Sequence, residues 1–382
     1  METLRTAIVG VGRAARLHAA ALGTLPESDF VAACSRPSEH LKAFCAEHGV
    51  RPFSDVGEMI AQAGVQALCV CTPHPHHAAP AIAAAGAGVH VLVEKPLAVS
   101  LADCDAMMAA AQAAGTVLSV VSQRRFYPPC QRIRRALDAG LLGQPVLGTA
   151  LILGWRDEAY YRSDPWRGTW AAEGGGVLVN QAPHQLDLLL WYLGEVAEVF
   201  GYWGNQNHPY IEVDDTAVAV LRFRNGAFGS VVVSNSQNPA IHARVCVHGA
   251  NGASAGVQTD GGAMFVPGLT PITEAPWNDL WTIPGEERRL PQWKAEDAQL
   301  FRSVDPATHF HRLQIQDFLR AVLTARPPAV TADDGRRTVE LFTAIYRATR
   351  DGRPVRFPLP AGPPLAATTA GARPPQSNHP KP

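Results

Sequence analysis

The sequence predicts an α/β protein of two units. Residues 1–125 read as a doubly wound parallel sheet, and residues 126–359 as an α+β unit with a large, mostly antiparallel open sheet. Three observations carry this. Short apolar, β-rich runs alternate with helical patterns through the first third. The first run ends in a glycine turn that opens a helix. After about residue 125 the runs lengthen and follow one another with tight turns between them. A chain of 382 residues, 47% of them apolar, has material for two cores.

In the first unit, strands are expected at "TAIVG" (6–10), "FVAACS" (30–35), "ALCVCT" (67–72), "HVLVE" (90–94) and "TVLSVV" (116–121), with helices at about 14–22, 38–48, 55–62, 76–86 and 101–114. Near-continuous apolar runs suit strands covered on both faces. Their alternation with helices implies right-handed parallel connections. In the second unit a helix near 129–139 leads into a strand at 145–155. A helix is expected over 177–193, then strands at 196–204, 214–224, 227–236 and 241–249, with Asn225-Gly226 marking a hairpin. Late helices at about 308–325 and 333–350 are expected to return onto the first unit or the junction. The segment 262–300 holds Trp277, Trp281 and Trp293 among prolines and reads as either a functional loop or an elaboration of the sheet edge. The tail 360–382 has seven prolines in 23 residues and is expected to be disordered.

A net charge of −1, with both signs mixed along the chain, gives no electrostatic support to a nucleic-acid or anionic-membrane partner. The N-terminus runs straight into a strand pattern without the charged-then-apolar run of a signal peptide. The longest apolar stretch, about 78–93, is interrupted by glycine and histidine and reads as helix, turn and strand rather than a membrane span. Seven cysteines are scattered without a framework, and Cys69 and Cys71 share one face of one strand, where extended backbone does not let them bridge. A reduced, cytoplasmic protein is expected.

"AIVGVGRAARLHAA" places Gly10-x-Gly12-x-x-Ala15 between the first strand and the first helix. Gly10 permits the tight turn, Gly12 removes a side chain that would block a pyrophosphate, and Ala15 allows close helix–strand packing. The helix N-terminus, with Arg13 and Ala14 in its first turn, offers N–H groups to an anion. In this context the motif reads as a Rossmann dinucleotide site. An acidic residue at the end of the second strand would bond a ribose 2′-OH; the chain instead has Ser35 and Arg36. An arginine there can pair a 2′-phosphate, so NADP is favoured, with NAD the alternative. A solvated Arg36 beside Pro37 is the plainer reading of the same residues.

Glu94-Lys95-Pro96 follows a buried strand, at the sheet edge where α/β folds bind ligands. Pro96 restricts Lys95 to an extended conformation. In "VLVNQAPHQLD" (177–187), a regular helix brings Asn180, His184 and Asp187 within about 60° of one another. Each of these groups costs stability unless paired, so this face is read as lining a cleft. His184 is the candidate acid/base. Lys95 can hydrogen-bond the same substrate oxygen, and Asn180 can hold and orient. Asp187 either fixes the imidazole or caps a buried network. The glycines of "EGGG" (173–176) let backbone approach something closely. The cluster "PHPHH" (73–77) has no carboxylate or cysteine spaced to complete a ligand set, and no metal is expected.

Together, "GVGRAA", "CTPHPHHAAPAIAAAGAGVHVLVEKPLA", "WRGTWAAEGGGVLVNQAPHQLDLLLWYLG" and "DGRRTVELFTAIYRATRDGRPVRFPL", in this order, resemble the Gfo/Idh/MocA oxidoreductases over about residues 4–358. The resemblance implies an N-terminal Rossmann domain and a C-terminal α/β domain whose open sheet commonly mediates homodimers or homotetramers. It also implies interconversion of a hydroxyl and a ketone on sugars, cyclitols and related rings, using nicotinamide. By position, Lys95 matches the family's EKP lysine and His184 its catalytic histidine. Asn180 stands where the family often has aspartate. An amide does not raise the imidazole's basicity as a carboxylate does, so Lys95 and His184 carry more of the proton transfer. Thr72, Pro73 and His74 match the "TPN" turn near the cofactor, with histidine in place of asparagine, and His77 matches that turn's usual histidine. Glu94 and Lys95 complete the cofactor edge.

"GWRDEAYYRSDPWRGTW" (154–170) faces the substrate by resemblance. Tyr160 and Trp166 suit the C–H face of a sugar ring, and Arg156 or Arg167 suit hydroxyls or a carboxylate. Gln123 and Arg124 resemble a substrate-edge segment. The reading is an NAD(P)-dependent dehydrogenase acting on a sugar, a sugar derivative or a cyclic polyol. Its alternatives are a redox-neutral NAD-dependent hydrolase or lyase acting on a glycoside, a non-catalytic NAD(P)-sensing protein and, closer, a dihydrodiol dehydrogenase.

Overall fold

In the computed structural model, residues 2–261 and 272–360 are described. The first sheet consists of β1 (Leu4–Val9), β2 (Ser28–Cys34), β3 (Arg51–Phe53), β4 (Ala67–Val70), β5 (His90–Val93) and β6 (Leu118–Val120), all parallel, in the order β3-β2-β1-β4-β5-β6. Between the strands run α1 (Arg13–Leu22), α2 (Glu39–His48), α3 (Val56–Ala63), α4 (Ala78–Gly86) and α5 (Leu101–Ala114). Every element expected here is present, and β3 is added. Its three residues include a proline and expose two side chains, which an edge strand tolerates and an apolar-run criterion misses. Strand order reverses between β1 and β4, so the loops leaving them diverge and open a crevice.

Helix starts show which termini are closed. Ser38, Asp55 and Ser100 cap α2, α3 and α5 by accepting the N–H of Leu41, Glu58 and Asp103. Helix α1 begins at Gly12 with no side-chain cap and no acidic residue in its first turn. No side chain competes there for the terminal N–H groups.

The second unit contains α6 (Pro128–Asp138), β7 (Pro145–Leu153), α7 (Glu158–Arg162), α8 (Val177–Asn180), α9 (Pro183–Leu193), β8 (Val196–Gly204), β9 (Thr216–Phe223), β10 (Phe228–Ser234), β11 (His242–Gly249), β12 (Ser254–Asp260) and β13 (Trp277–Trp281). Then follow α10 (Leu290–Ser303), α11 (Pro306–Leu323), α12 (Ala332–Asp351) and β14 (Val355–Arg356). Its sheet runs β13-β12-β11-β7-β10-β9-β8-β14, and only the β7–β10 pair is parallel. Helix α9 lies directly on β7: a Cβ built at Gly148 would stand 2.7 Å from Leu193 and 2.9 Å from Leu189. The opposite face exposes Tyr202, Val218, Val220, Phe228 and Leu147, which the strand register places side by side. Helix α11 returns to the first unit, packing Ile315, Phe318 and Leu319 with β1 and α1.

The helix expected over 177–193 is two helices. Pro183 has no N–H to continue the ladder, and the Ala182 N–H reaches back five residues to the Val177 carbonyl at 2.8 Å. Segment 262–300 extends the sheet edge through β13 and packs α10 beside it, while residues 262–271 fall outside the described set. The tail expected to be disordered also lies outside it, beyond Pro360. Strand β12, "SAGVQTD", was not expected; its small and polar residues carry little apolar signal. All seven cysteines are buried and unbridged, and no described helix is long and apolar enough to cross a membrane.

A buried ionic knot joins the units. Arg125, 4% exposed, donates to both Asp187 oxygens at 2.9 and 2.6 Å and pairs with Asp334 at 3.1 Å. Ser122 donates to the same Asp187 carboxylate. The knot therefore ties the chain after β6 to α9 and to the start of α12. Replacing one member leaves opposite charges buried without partners, which costs roughly 3–5 kcal/mol. Arg125→Leu is therefore expected to lower stability by about that amount in urea unfolding. A loss below about 1 kcal/mol would show that water replaces the guanidinium.

Candidate active site

A cavity of about 1540 Å³ runs from the glycine turn of the first unit to the inner side of the second sheet. A pocket for one small ligand is typically ~300–1,000 Å³, so this one has room for a dinucleotide and a second molecule.

The dinucleotide end is built from backbone. Gly10 has φ +88°, and a Cβ there would stand 2.7 Å from the Cys71 carbonyl carbon, so only glycine fits. A Cβ on Gly12 would meet nothing within 4 Å, because that position opens into the cavity beside the uncapped start of α1. This is a cradle for a pyrophosphate. Ala14 lines it, and Arg13 is turned to Asp164 at 3.0 Å, bridging to the second unit. Ser35 and Arg36 line the far end of the cavity. The Thr72 hydroxyl donates to the His76 carbonyl at 2.9 Å, and Pro73 is exposed beside it. His77 borders the cavity but is fully buried, with its ring nitrogens 2.9 Å from the carbonyls of Pro96 and Thr72; burial lowers its pKa, and the one N–H of the neutral ring donates to one of the two. His74 faces the Glu173 carbonyl at 3.0 Å and packs edge-on to Trp166.

The reacting end gathers Lys95, Asn180 and His184 on one cavity wall. The Lys95 ammonium donates to the Asn180 backbone carbonyl at 2.8 Å and to its side-chain oxygen at 3.3 Å. Burial lowers Lys95 to about 8; Glu94 and Glu173 oppose that shift, and Arg167 and Arg124 add to it. His184 is partly exposed to the cavity. Burial and the charges of Arg124, Lys95 and His311 push it well below its usual range, so it is neutral near pH 7 and able to take a proton. Asp187 does not reach the imidazole. It belongs to the Arg125 knot, which decides between its two expected roles. Glu94 lies behind Lys95, accepting from His18 at 2.8 Å and from the Lys95 N–H at 3.1 Å. Burial pushes its carboxyl up, but the His18 hydrogen bond and the charges of His18, His311 and Lys95 outweigh this and hold it near 2.

Around this centre the loop after β7 is tightly bonded. The Tyr160 hydroxyl receives Arg167 at 2.6 Å, Gln181 at 3.1 Å and Asn180 at 3.3 Å. Arg167 lies between the rings of Tyr160 and Trp166, 4.2 and 4.4 Å from their centroids, and pairs with Asp164 at 3.2 Å. Arg124 bonds Thr259 at 2.8 Å and Asp260 at 3.0 Å, while Gln123 leaves its side-chain oxygen buried without a partner. Every residue expected to bind substrate thus lines the cavity, but the Tyr160 hydroxyl, the Arg167 guanidinium and both terminal nitrogens of Arg124 are engaged by protein. Among the described residues no cluster of three or more His, Cys, Asp and Glu side chains converges as a metal site.

One residue in this site was not anticipated. Glu173, 1% exposed, accepts the Gly168 N–H at 2.6 Å and the side-chain amide of Asn180. Burial raises its carboxyl to about 7 against those two bonds and the charge of Arg167. In the sequence it is hidden as the first letter of "EGGG", a stretch notable for its glycines.

Residues 4–122 match the oxidoreductase family with an NAD-binding Rossmann fold, and residues 130–254 match the GFO/IDH/MocA C-terminal domain. The WlbA dehydrogenase of Bordetella pertussis, solved in complex with NADH and UDP-GlcNAcA, is 30% identical with a TM-score of 0.81, the match covering 94% of this chain and 99% of that one. Myo-inositol 2-dehydrogenase of Thermotoga maritima is 26% identical over 93% of this chain and 98% of its own length. The NAD⁺-dependent scyllo-inositol 2-dehydrogenase of Bacillus subtilis is 26% identical over 93% and 96%. The cradle at Gly12 and these matches along both units make the same assignment: the chain belongs to the Gfo/Idh/MocA family of NAD-binding oxidoreductases.

Proposed function

We propose that this protein is an NAD(P)-dependent dehydrogenase that interconverts a ring hydroxyl and a ketone on a sugar, a sugar derivative or a cyclic polyol. The observation that carries the reading is the pairing of a Lys95 ammonium and a neutral His184 imidazole on one wall of a cavity that begins at a dinucleotide cradle. A nicotinamide bound there supplies the hydride acceptor or donor. His184 takes the hydroxyl proton or returns it. Lys95 hydrogen-bonds the same oxygen and stabilises negative charge as it develops, which is where electrostatic catalysis gains most. Asn180 holds the ammonium in place. The inositol dehydrogenases and the UDP-GlcNAcA-bound relative support a polyhydroxylated ring as the substrate. Arg156 has no carboxylate partner among the described residues and suits a substituent carrying negative charge.

For the cofactor we favour NADP over NAD. Arg36 lines the far end of the cradle, and neither Ser35 nor Arg36, the two residues after β2, offers a carboxylate to a ribose 2′-OH. The exposed stripe of Tyr202, Val218, Val220 and Phe228 supports a homodimer or homotetramer formed through the second sheet. The unbridged buried thiols support a reducing compartment such as the cytoplasm.

Four outcomes test this reading. Across a panel of cyclitols, sugars and uronic acids, His184→Ala is expected to lower kcat by ~10²–10⁴ while leaving the cofactor Kd nearly unchanged. Near-normal turnover would refute the assignment. In the oxidation direction, activity should be lost as pH rises through about 8, where Lys95 gives up its proton. Arg36→Ala is expected to weaken NADP roughly tenfold and NAD hardly at all; equal losses would remove the case for NADP. Val220→Lys is expected to shift the scattering mass toward that of one chain, and an unchanged mass would exclude this face as the interface.

A further inference from the structure

The family position beside Lys95 that often holds an aspartate is an amide in this chain, yet a carboxylate stands one hydrogen bond further back. The geometry points to Glu173 as a positioning residue that replaces that aspartate, acting on Lys95 through the Asn180 amide. The consequence for turnover rests on the dehydrogenase reading; the consequence for Lys95 itself does not.

The argument is one of hydrogen-bond polarity. A side-chain amide has a donor end and an acceptor end, and a half-turn exchanges them. Above about pH 7, where Glu173 is ionised, its carboxylate only accepts, and an ammonium only donates. Glu173 fixes one end: its second oxygen is held by the Gly168 N–H at 2.6 Å, and its first receives the Asn180 NH₂. The amide must then present its oxygen to Lys95, which it does at 3.3 Å beside the 2.8 Å bond to the Asn180 backbone carbonyl. The flipped amide would set its NH₂ against the ammonium, donor to donor; Lys95 and Glu173 select the same orientation from opposite ends, and without Glu173 only the ammonium selects it. The Tyr160 hydroxyl, 3.3 Å from the same NH₂, does not enforce the orientation, because a hydroxyl both donates and accepts. Glu173 thus sets the amide and the amide sets the ammonium.

Other charges face this group. Glu94 lies beside Lys95 on its own strand edge, Arg167 and Arg124 come from the loops around the cavity, His74 packs from the turn after β4, and Asp214 lies near Glu173. His184 shares the cavity wall. The two arginines push Lys95 toward its neutral form, while Glu94 and Glu173 hold its proton. Glu94 is the larger of the two, and Glu173 is the one that also holds the Asn180 amide, so its removal both weakens the opposition to the arginines and frees the amide.

The test uses Glu173→Gln, Asn180→Asp and the double variant, with two readouts. The first needs no substrate: the pH dependence of Lys95 modification by an amine-directed reagent, followed by peptide mass spectrometry above pH 7. The second is the alkaline limb of the kcat profile. Glu173→Gln is expected to move the Lys95 ionisation down by ~1 pH unit and to lower kcat roughly 10- to 100-fold, with cofactor affinity unchanged. Adding Asn180→Asp to it returns a carboxylate to the lysine and is expected to restore both. An unmoved Lys95 ionisation in Glu173→Gln, or a double variant no better than the single, would overturn the proposal and leave Glu173 a loop anchor. If Glu173→Gln does not fold, Glu173→Asp, which draws the carboxylate back from the amide, must show the same downward shift, and no shift there is equally fatal. Absence of wild-type turnover on every substrate would sink the dehydrogenase reading while leaving the Lys95 measurement intact.

Discussion

The hydrogen bond from Lys95 to Asn180 is the contact on which the rest of the molecule turns. It joins a lysine at the edge of the first sheet to a short helix of the second unit, and it does so in a place where burial works against the charge. The surroundings are arranged to keep that proton on, but barely. Glu94 and Glu173 hold it while Arg167 and Arg124 oppose it, and the balance leaves the ammonium near 8. A group so poised is charged at neutrality and still able to give strongly to a developing negative oxygen.

Such a contact exists only if the two units are docked in register. The docking is done by groups that take no part in the chemistry. Helix α11 returns to pack on α1, and Arg125 binds Asp187 and Asp334 from two helices of the second unit. Arg13 reaches Asp164, which also holds Arg167 over the cavity. That last chain links the start of α1 to the loop after α7 through one carboxylate. The knot at Arg125 is expensive to build in a dry place and more expensive to leave half-built. It therefore specifies one docking geometry, and so one distance between Lys95 and Asn180.

What the sequence disclosed and what it hid divide along the same line. Gly10, Gly12, Lys95 and His184 are legible because each stands where its local motif puts it, on the wall of one cavity: a turn, a helix start, a strand end, a helix face. The strands of the first sheet are legible because both faces are covered and the apolar runs are unbroken. Glu173 is not legible, because its role depends on an amide seven residues away reached across a glycine turn. Arg13 with Asp164 and Arg125 with Asp187 are pairs separated by 151 and 62 residues, and no spacing rule reaches that far. His77 is the converse case: its place in the turn is legible, but not that its ring is buried between the carbonyls of Pro96 and Thr72. Strands β3 and β12 are hidden for a simpler reason: β3 is three residues with one apolar side chain, Phe53, β12 is mostly small or polar, and the pairing is imposed by neighbours.

The break at Pro183 explains why the trio of Asn180, His184 and Asp187 does not act as a trio. On one regular helix the three would share a face, and the Asn180 carbonyl would receive the His184 N–H four residues on. Proline at 183 interrupts that ladder and starts a new helix. One thing follows from the interruption: the Asn180 carbonyl is released from the helix and becomes the shorter of the two acceptors for Lys95. His184 and Asp187 stay on one helix, and there it is Arg125 that claims the carboxylate, through both of its oxygens. A residue without an N–H thus frees an acceptor for the ammonium, and an arginine from the chain after β6 turns the carboxylate from a partner for the imidazole into a strut for the fold.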